Sequence, residues 1–254
     1  MDSFLLIMSL NFLIYVMKKI IIIPDVHGRS FWKEAVKEIS ENEKIIFLGD
    51  YVDPYGWEGI SRVDAINILE EIIEFKKAHV DNVILLLGNH DYQYIDLDCR
   101  IFSRYDDTRA PKIRKLFMDN LELFDLAYTE ENYIFSHSGI LKPWVEESKS
   151  ILGENPEILQ IPGILNRALH KDPTELDKIL IVAGQERGGW SDCGSLIWGD
   201  VHEFATKEDE RQFPGIYQIF GHTQLQENAD ITDRWACLDC RRAFKLEDNI
   251  IEEL

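Results

Sequence analysis

The chain has 254 residues, 45% hydrophobic and 29% charged, an ordinary globular make-up with room for one large α/β domain or two small ones. Its 46 acidic against 27 basic residues give a formal net charge of −19, a field that repels nucleic acid, anionic lipid and phosphorylated molecules at long range. That balance excludes a general nucleic-acid binder, whose affinity comes mostly from Lys and Arg on phosphates, but leaves catalysis open, since carboxylates that hold cations lose part of their field.

Phe4 to Met17 is an almost unbroken apolar run, followed by Lys18-Lys19. It falls short of the about 20 residues a spanning helix needs. Asp2 ahead of it and the lack of a small-residue cleavage site behind it do not fit a signal peptide. Residues 1–19 are therefore set apart as an apolar extension. Residues 1–16 are expected to be dispensable ahead of a start at Met17, with an interfacial helix as the alternative. Residues 20–254 are expected to form the working domain, with no membrane attachment.

From Ile20 the pattern alternates. Ile20 to Pro24 reads as a buried strand ending in Asp25-Val26-His27-Gly28, followed by a helix capped by Ser30 that runs to about Ser40 with Phe31, Ala35, Val36 and Ile39 inward. Strand Lys44 to Leu48 ends in Gly49-Asp50-Tyr51-Val52-Asp53. A helix from near Ser61 to about Ala78 carries Val63, Ile66, Leu69, Ile73 and Phe75 at helical spacing, and strand Val83 to Leu87 ends in Gly88-Asn89-His90-Asp91. This β-α-β-α-β order predicts parallel strands with right-handed crossovers. A helix from Ala110 to about Asn120 lies in a more polar, aromatic segment over 92–126. Tyr133 to Phe135 leads to Ser136-His137-Ser138-Gly139, and Pro143 suits the first turn of another helix. Ile179 to Ala183 is strand-like, and five glycines follow over 184–199. Tyr217 to Phe220, ending in Gly221-His222-Thr223, then Trp235 to Leu238, Ala243 to Leu246 and Ile250-Ile251 read as the last strands.

Five apolar runs thus end in Asp, Asn or His, and ligands gather at strand ends in α/β sheets. Asp25 and His27, one residue apart, point to the same side of an extended exit and can share a metal with Asp50. Asp50 has two oxygens and can bridge to a second metal held by Asn89, His137 and His222. This mixture suits Mn, Fe or Zn rather than the all-oxygen shell of Ca or Mg, and two divalent ions, Mn by preference, are expected. A water held between two such ions loses a proton near neutral pH and becomes a nucleophile. Each motif alone has a dull explanation: Asp-x-His arises by chance, Gly-His-Thr is commonly a turn, and Gly-Asn-His-Asp suits a capped loop. Their order, each after an apolar run, makes the joint reading specific. His79 reads as a helix-end residue, His170 and His202 as surface residues, and Glu70-Glu71, Glu146-Glu147 and Glu208-Asp209-Glu210 as solvated faces. Of Cys99, Cys193, Cys237 and Cys240, only the last two form a C-x-x-C, and no second pair completes a zinc site. They read as reduced thiols of a cytoplasmic protein.

The five ordered motifs resemble those of calcineurin-like metallophosphoesterases, over Ile20 to about Leu246. Gly49 to Asp53, with Leu196-Ile197-Trp198-Gly199-Asp200 ahead of the last histidine, is similar to the phosphoprotein phosphatase branch, whose bacterial relatives include diadenosine tetraphosphatase-like and small serine/threonine phosphatase-like enzymes. The resemblance implies an α/β fold of two mixed β-sheets packed as a sandwich and flanked by helices, two metals bridged by Asp50, and a catalytic His-Asp pair at His90 and Asp53. It implies hydrolysis of phosphate monoesters on a small molecule, nucleotide or phosphoprotein. A dinucleoside polyphosphate or other nucleotide is the alternative substrate. A non-catalytic scaffold is the reading from another class, but it would expect eroded ligands, and none of the matched ligands is eroded. Three positions depart from the branch. Pro54 stands where it has a phosphate-clamping arginine, Asp91 where it usually has Glu, and Gln224 where wider members carry a second His. A substitute clamp is expected from Arg29, beside the first motif, or Arg187, in the glycine-rich stretch, with Arg62, Arg104 and Arg109 as further candidates.

Overall fold

In the computed structural model, which describes residues 19–38, 40, 43–96, 103–206 and 208–254, strands β1 (Ile20–Ile23), β2 (Lys44–Phe47), β3 (Val83–Leu86) and β4 (Phe124–Asp125) run parallel, side by side. A second sheet takes β5 (Ala127–Glu130), β6 (Tyr133–Ser136), β7 (Tyr217–Phe220), β8 (Asp230–Ile231) and β9 (Trp235–Cys237) in the order β5-β6-β7-β9-β8. Within it β6, β7 and β9 are parallel and the outer strands antiparallel. The chain then returns to the first sheet, where β10 (Phe244–Glu247) and β11 (Ile250–Glu253) add antiparallel beyond β1. Both sheets are mixed, as the resemblance implied.

The strands are apolar at nearly every position because both faces are covered. Side chains alternate along each strand. Ile20, Ile22, Ile46, Leu48, Ile84 and Leu86 pack against Tyr133, Phe135, Ile219 and Ala236 of the second sheet, and this shared layer makes the sandwich. Ile21, Ile23, Ile45, Phe47, Val83 and Leu85 face the helices instead. Ile46 is fully buried in the shared layer. Ile46→Ala is expected to cost about 2–5 kcal/mol, from lost transfer energy plus a cavity. Urea denaturation would show it as a lower midpoint at unchanged slope; a shift worth under about 1 kcal/mol would mean that the layer is not close-packed there.

The helices depart from expectation in three places. The helix expected over Ser30–Ser40 is one turn, α1 (Trp32–Ala35), with no side-chain cap. It is anchored by buried Trp32, whose ring stands against Phe47 and Phe75, while Phe31 is only partly buried; Ile39 lies outside the described residues. α2 (Arg62–Ala78) does start after Ser61, whose hydroxyl accepts the Asp64 N–H. Its inward stripe is Ala65, Ile66, Leu69, Ile72 and Ile73, and Val63 is 48% exposed. At about 100° per residue Val63 points roughly 120° away from the middle of that stripe. The strand expected over Ile179–Ala183 is instead a helical turn, Asp177–Leu180, and then a bend. A short apolar run does not distinguish a buried strand from a buried helical turn. Here Ile179 and Leu180 are buried, and the Ile179 carbonyl accepts the Trp144 indole N–H.

α3 (Asn89–Ile95) starts directly at the third motif, α4 (Ala110–Asp119) matches its expected span, and Pro143 lies in the first turn of α5 (Lys142–Glu147). The strand β4 falls at the end of the polar segment where only a helix was expected, and β5 directly after it. Among the described residues no helix is long and apolar enough to cross a membrane, and residues 1–18 lie outside them.

Candidate metal centre

β1, β2 and β3 in one sheet and β6, β7 and β9 in the other all end on one rim, where their exit loops meet. Backbone bonds tie the loops together: His27 N–H to the Asp50 carbonyl at 2.6 Å, Gly28 N–H to the Tyr51 carbonyl at 2.9 Å, and Gly221 N–H to the His137 carbonyl at 2.8 Å. His27, Asp50, Asp53 and His222 all take left-handed backbone, with φ of 44°, 53°, 57° and 65°. Each costs on the order of 1 kcal/mol or more for a residue with a Cβ, and such strain persists only where the surroundings fix it. Asp91 fixes the turn at Asp50. Its carboxylate accepts the N–H groups of Asp50 (2.7 Å), Tyr51 (2.9 Å) and Gly88 (2.9 Å).

Two groups of donor atoms face each other across Asp50. Asp25, His27 and Asp50 form one, and Asp50, His137 and His222 the other; within each, the donor atoms lie within 4.8 Å of one another. Asn89 joins the second, its Oδ1 being 3.1 Å from His137 Nε2. Asp50 is shared: Oδ2 is 3.4 Å from His27 Nε2 and Oδ1 is 3.5 Å from His137 Nε2. All six side chains are buried.

The donor set fits divalent cations. His27 Nδ1 donates to the Val52 carbonyl and His137 Nδ1 to the Leu48 carbonyl, both at 2.8 Å, which leaves each Nε2 as a lone pair aimed at the centre. Burial, and then neighbouring positive groups, hold His27 and His222 well below the usual imidazole range, so both are neutral. His137 Nε2 faces Asn89 Oδ1 and, at 3.1 Å, His222 Nδ1, a convergence of donor atoms that a cation satisfies. Room for it depends on two glycines. A Cβ on Gly88 would come 2.1 Å from Asp50 Oδ1, and one on Gly221 2.2 Å from Asp25 Oδ1.

His90 stands beside the centre. Its backbone N–H donates to Asp50 Oδ1 at 2.9 Å, but its ring turns to Asp53, with Nδ1 3.0 Å from Oδ2. Asp53 also accepts from the Tyr94 hydroxyl (2.6 Å) and the Gln93 amide (2.5 Å). Burial pushes Asp53 up to about 7 and His90 down to about 4. Tyr94 and Gln93 counter this for Asp53 by favouring its ionised form, so the bridging proton rests on His90 Nδ1, leaving Nε2 as an acceptor. Arg104 fills that acceptor, 2.8 Å away. Asp50, Tyr55, Asn89, His90, Arg104, Arg187, Trp198 and His222 line a cleft of about 290 Å³ over the centre.

Of the arginines expected to bind substrate, Arg29 is spoken for. Its Nε and one terminal nitrogen clamp Glu58 at 3.0 and 2.9 Å, and the other donates to the Asp25 carbonyl at 3.1 Å, so in place of a free fork it braces the first metal motif. Arg187 reaches the cleft from the glycine-rich stretch, tethered to Asp200 (2.8 Å) and the Thr223 hydroxyl (2.9 Å). Arg62 lies 3.8 Å from Asp53, and Arg109 pairs with Asp106.

Sequence reasoning missed Asp239. It is buried where β9 ends, and burial together with the Asp25 carboxylate pushes it well above the usual range. The signal is present in the sequence, because Trp235 to Leu238 is a sixth apolar run ending in an acid. Cys193, Cys237 and Cys240 are free and buried, and Cys99 lies outside the described residues. His79 caps the end of α2, while His170 and His202 are exposed.

The family description of calcineurin-like phosphoesterases matches residues 18–224. In fold the chain is similar to a cold-active protein-tyrosine phosphatase of a psychrophilic Shewanella species, at 14% identity and a TM-score of 0.57 over 93% of this chain and 80% of that one. It is also similar to a Saccharomyces cerevisiae protein serine/threonine phosphatase described as similar to human phosphatase PP5, at 14% identity and a TM-score of 0.53 over 93% and 79%. With the family matched across most of its length and the sandwich and donor groups in place, the chain belongs to the calcineurin-like phosphoesterases, metal-dependent hydrolases of phosphoric esters.

Proposed function

We propose that this protein hydrolyses phosphate monoesters in the manner of a small phosphoprotein phosphatase. The observation that carries the reading is the sharing of Asp50 between two buried donor groups, with the His90–Asp53 pair at their edge in one cleft. Asp25, His27 and Asp50 would hold one divalent ion, and Asp50, Asn89, His137 and His222 the other, with Mn the best match and Fe or Zn also suited to the donors. Two such ions supply an activated water at neutral pH and neutralise charge on the phosphoryl oxygens. The chain supplies the rest. Asp53 holds the His90 ring with Nε2 toward the cleft, where Nε2, an acceptor at rest, would take up the proton given up by the attacking water, with Asp53 steadying the imidazolium, and pass it to the leaving oxygen. Arg187 places positive charge on the cleft wall for the phosphoryl group, steadied by Asp200.

An activity panel on Mn-loaded protein tests this, with an aryl monoester, an aryl diester, a phosphopeptide and a dinucleoside tetraphosphate. Turnover of the monoester and phosphopeptide, with the diester slow, is expected. A tetraphosphate turned over with the phosphopeptide inert would move the substrate to nucleotides, and inactivity on all four would remove the reading.

A further inference from the structure

Pro54 leaves no side chain to grip phosphate at the position where the phosphatase branch carries an arginine, yet a dianion beside two cations still needs orienting donors. The next residue, Tyr55, lines the cleft, and Arg104 lies over its ring, the guanidinium carbon 3.7 Å from the ring centre. Stacking of this kind holds a guanidinium by cation–π attraction and leaves its in-plane donors free for other partners. One terminal nitrogen of Arg104 donates to His90 Nε2 at 2.8 Å. The other is buried and makes no hydrogen bond among the described residues, a costly state for a charged donor. Its own backbone is anchored. Arg104 takes a left-handed backbone (φ 66°), and its carbonyl accepts from Arg62 at 2.7 Å, while Arg62 itself lies 3.8 Å from Asp53.

We propose that Arg104, seated on Tyr55, is the phosphoryl-binding arginine of this chain, replacing from a distant segment the one absent at Pro54. This rests on the phosphoesterase reading above. As phosphoryl oxygens enter, the guanidinium shifts on its Tyr55 seat, so that the orphaned nitrogen and the nitrogen on His90 Nε2 both turn to them. The two are the parallel donors of one fork, matched to two oxygens of one phosphoryl group. Release of Nε2 opens the face of His90 that points at the leaving oxygen. Arg29 lacks this capacity because its donors are filled by Glu58 and the Asp25 carbonyl. Arg187 has only part of it, being held by Asp200 and Thr223.

The test titrates metal-loaded protein with inorganic phosphate by calorimetry and measures KM and kcat for an aryl monoester with a good leaving group. In Arg104→Ala, the phosphate Kd and the monoester KM are expected to rise about 10- to 100-fold, the range of a hydrogen bond to a charged group, with metal stoichiometry unchanged. Tyr55→Leu removes the seat but keeps the guanidinium, and a rise of several-fold is expected. If Arg104→Ala melts well below the parent, Arg104→Gln, close in shape and uncharged, takes its place. Phosphate affinity within twofold of the parent in the folded variant would overturn the assignment. A parent protein that binds no metal pair and hydrolyses no ester would instead sink the phosphoesterase reading, and the unmutated chain alone reports that.

Discussion

Asp50→Asn is expected to lose tight binding of at least one metal and, with it, nearly all turnover. Both donor groups depend on this one carboxylate, through Oδ2 toward His27 and Oδ1 toward His137. Asparagine keeps one oxygen and puts an N–H donor where the second faced a cation, and it removes a full negative charge from between two positive ions. Changes in the outer shell alone weaken metal binding by about 10- to 100-fold, so loss of the bridge is expected to exceed about 100-fold at one site. The fold should survive, because the loop is held by Asp91 through the backbone N–H groups of Asp50 and Tyr51, and neither bond involves the substituted side chain. Metal analysis after dialysis, with melting of the metal-free forms compared in parallel, separates the two effects. Both ions retained at parental affinity would refute the bridging role.

The residues of the two donor groups were legible in the sequence because each lies within a few residues of the end of an apolar strand, where the chain has little freedom about which way to point. Asp25 and His27 illustrate this, as does Asp50 two residues after Leu48. The arginines were not legible. Arg29 adjoins a metal motif, yet what it does is set by Glu58, and Arg104 meets His90 while its guanidinium lies over Tyr55. Those are contacts between segments far apart in the chain, and no local pattern encodes them. Asp91 shows the same limit from another side. Its place in the third motif was plain, but its role as acceptor for three backbone N–H groups depends on the approach of the Asp50 loop. The elements misjudged, α1, Val63 and the turn at Asp177–Leu180, share one cause. Short apolar patterns give hydrophobicity without direction, and packing partners such as Trp144 supply the direction.

His90→Asn is expected to keep both metals and lose about 10²- to 10⁴-fold in turnover, the usual worth of a positioned proton donor. The ring belongs to neither donor group, since Nδ1 is engaged by Asp53 and Nε2 faces the cleft beside Arg104. Only its backbone N–H touches a ligand, Asp50 Oδ1, and the substitution preserves that bond. Asparagine can still hydrogen-bond to Asp53 but has no group that gives up a proton near neutral pH. The loss must then track the leaving group. An alkyl phosphate departs as a strongly basic alkoxide and needs the proton, whereas a nitrophenolate leaves nearly unaided. Rates for a series of esters of rising leaving-group basicity should therefore fall more steeply in His90→Asn than in the parent, with the largest deficit for alkyl esters. Parallel slopes for the two proteins would mean that His90 positions the substrate or shapes the centre, and that the proton comes from elsewhere.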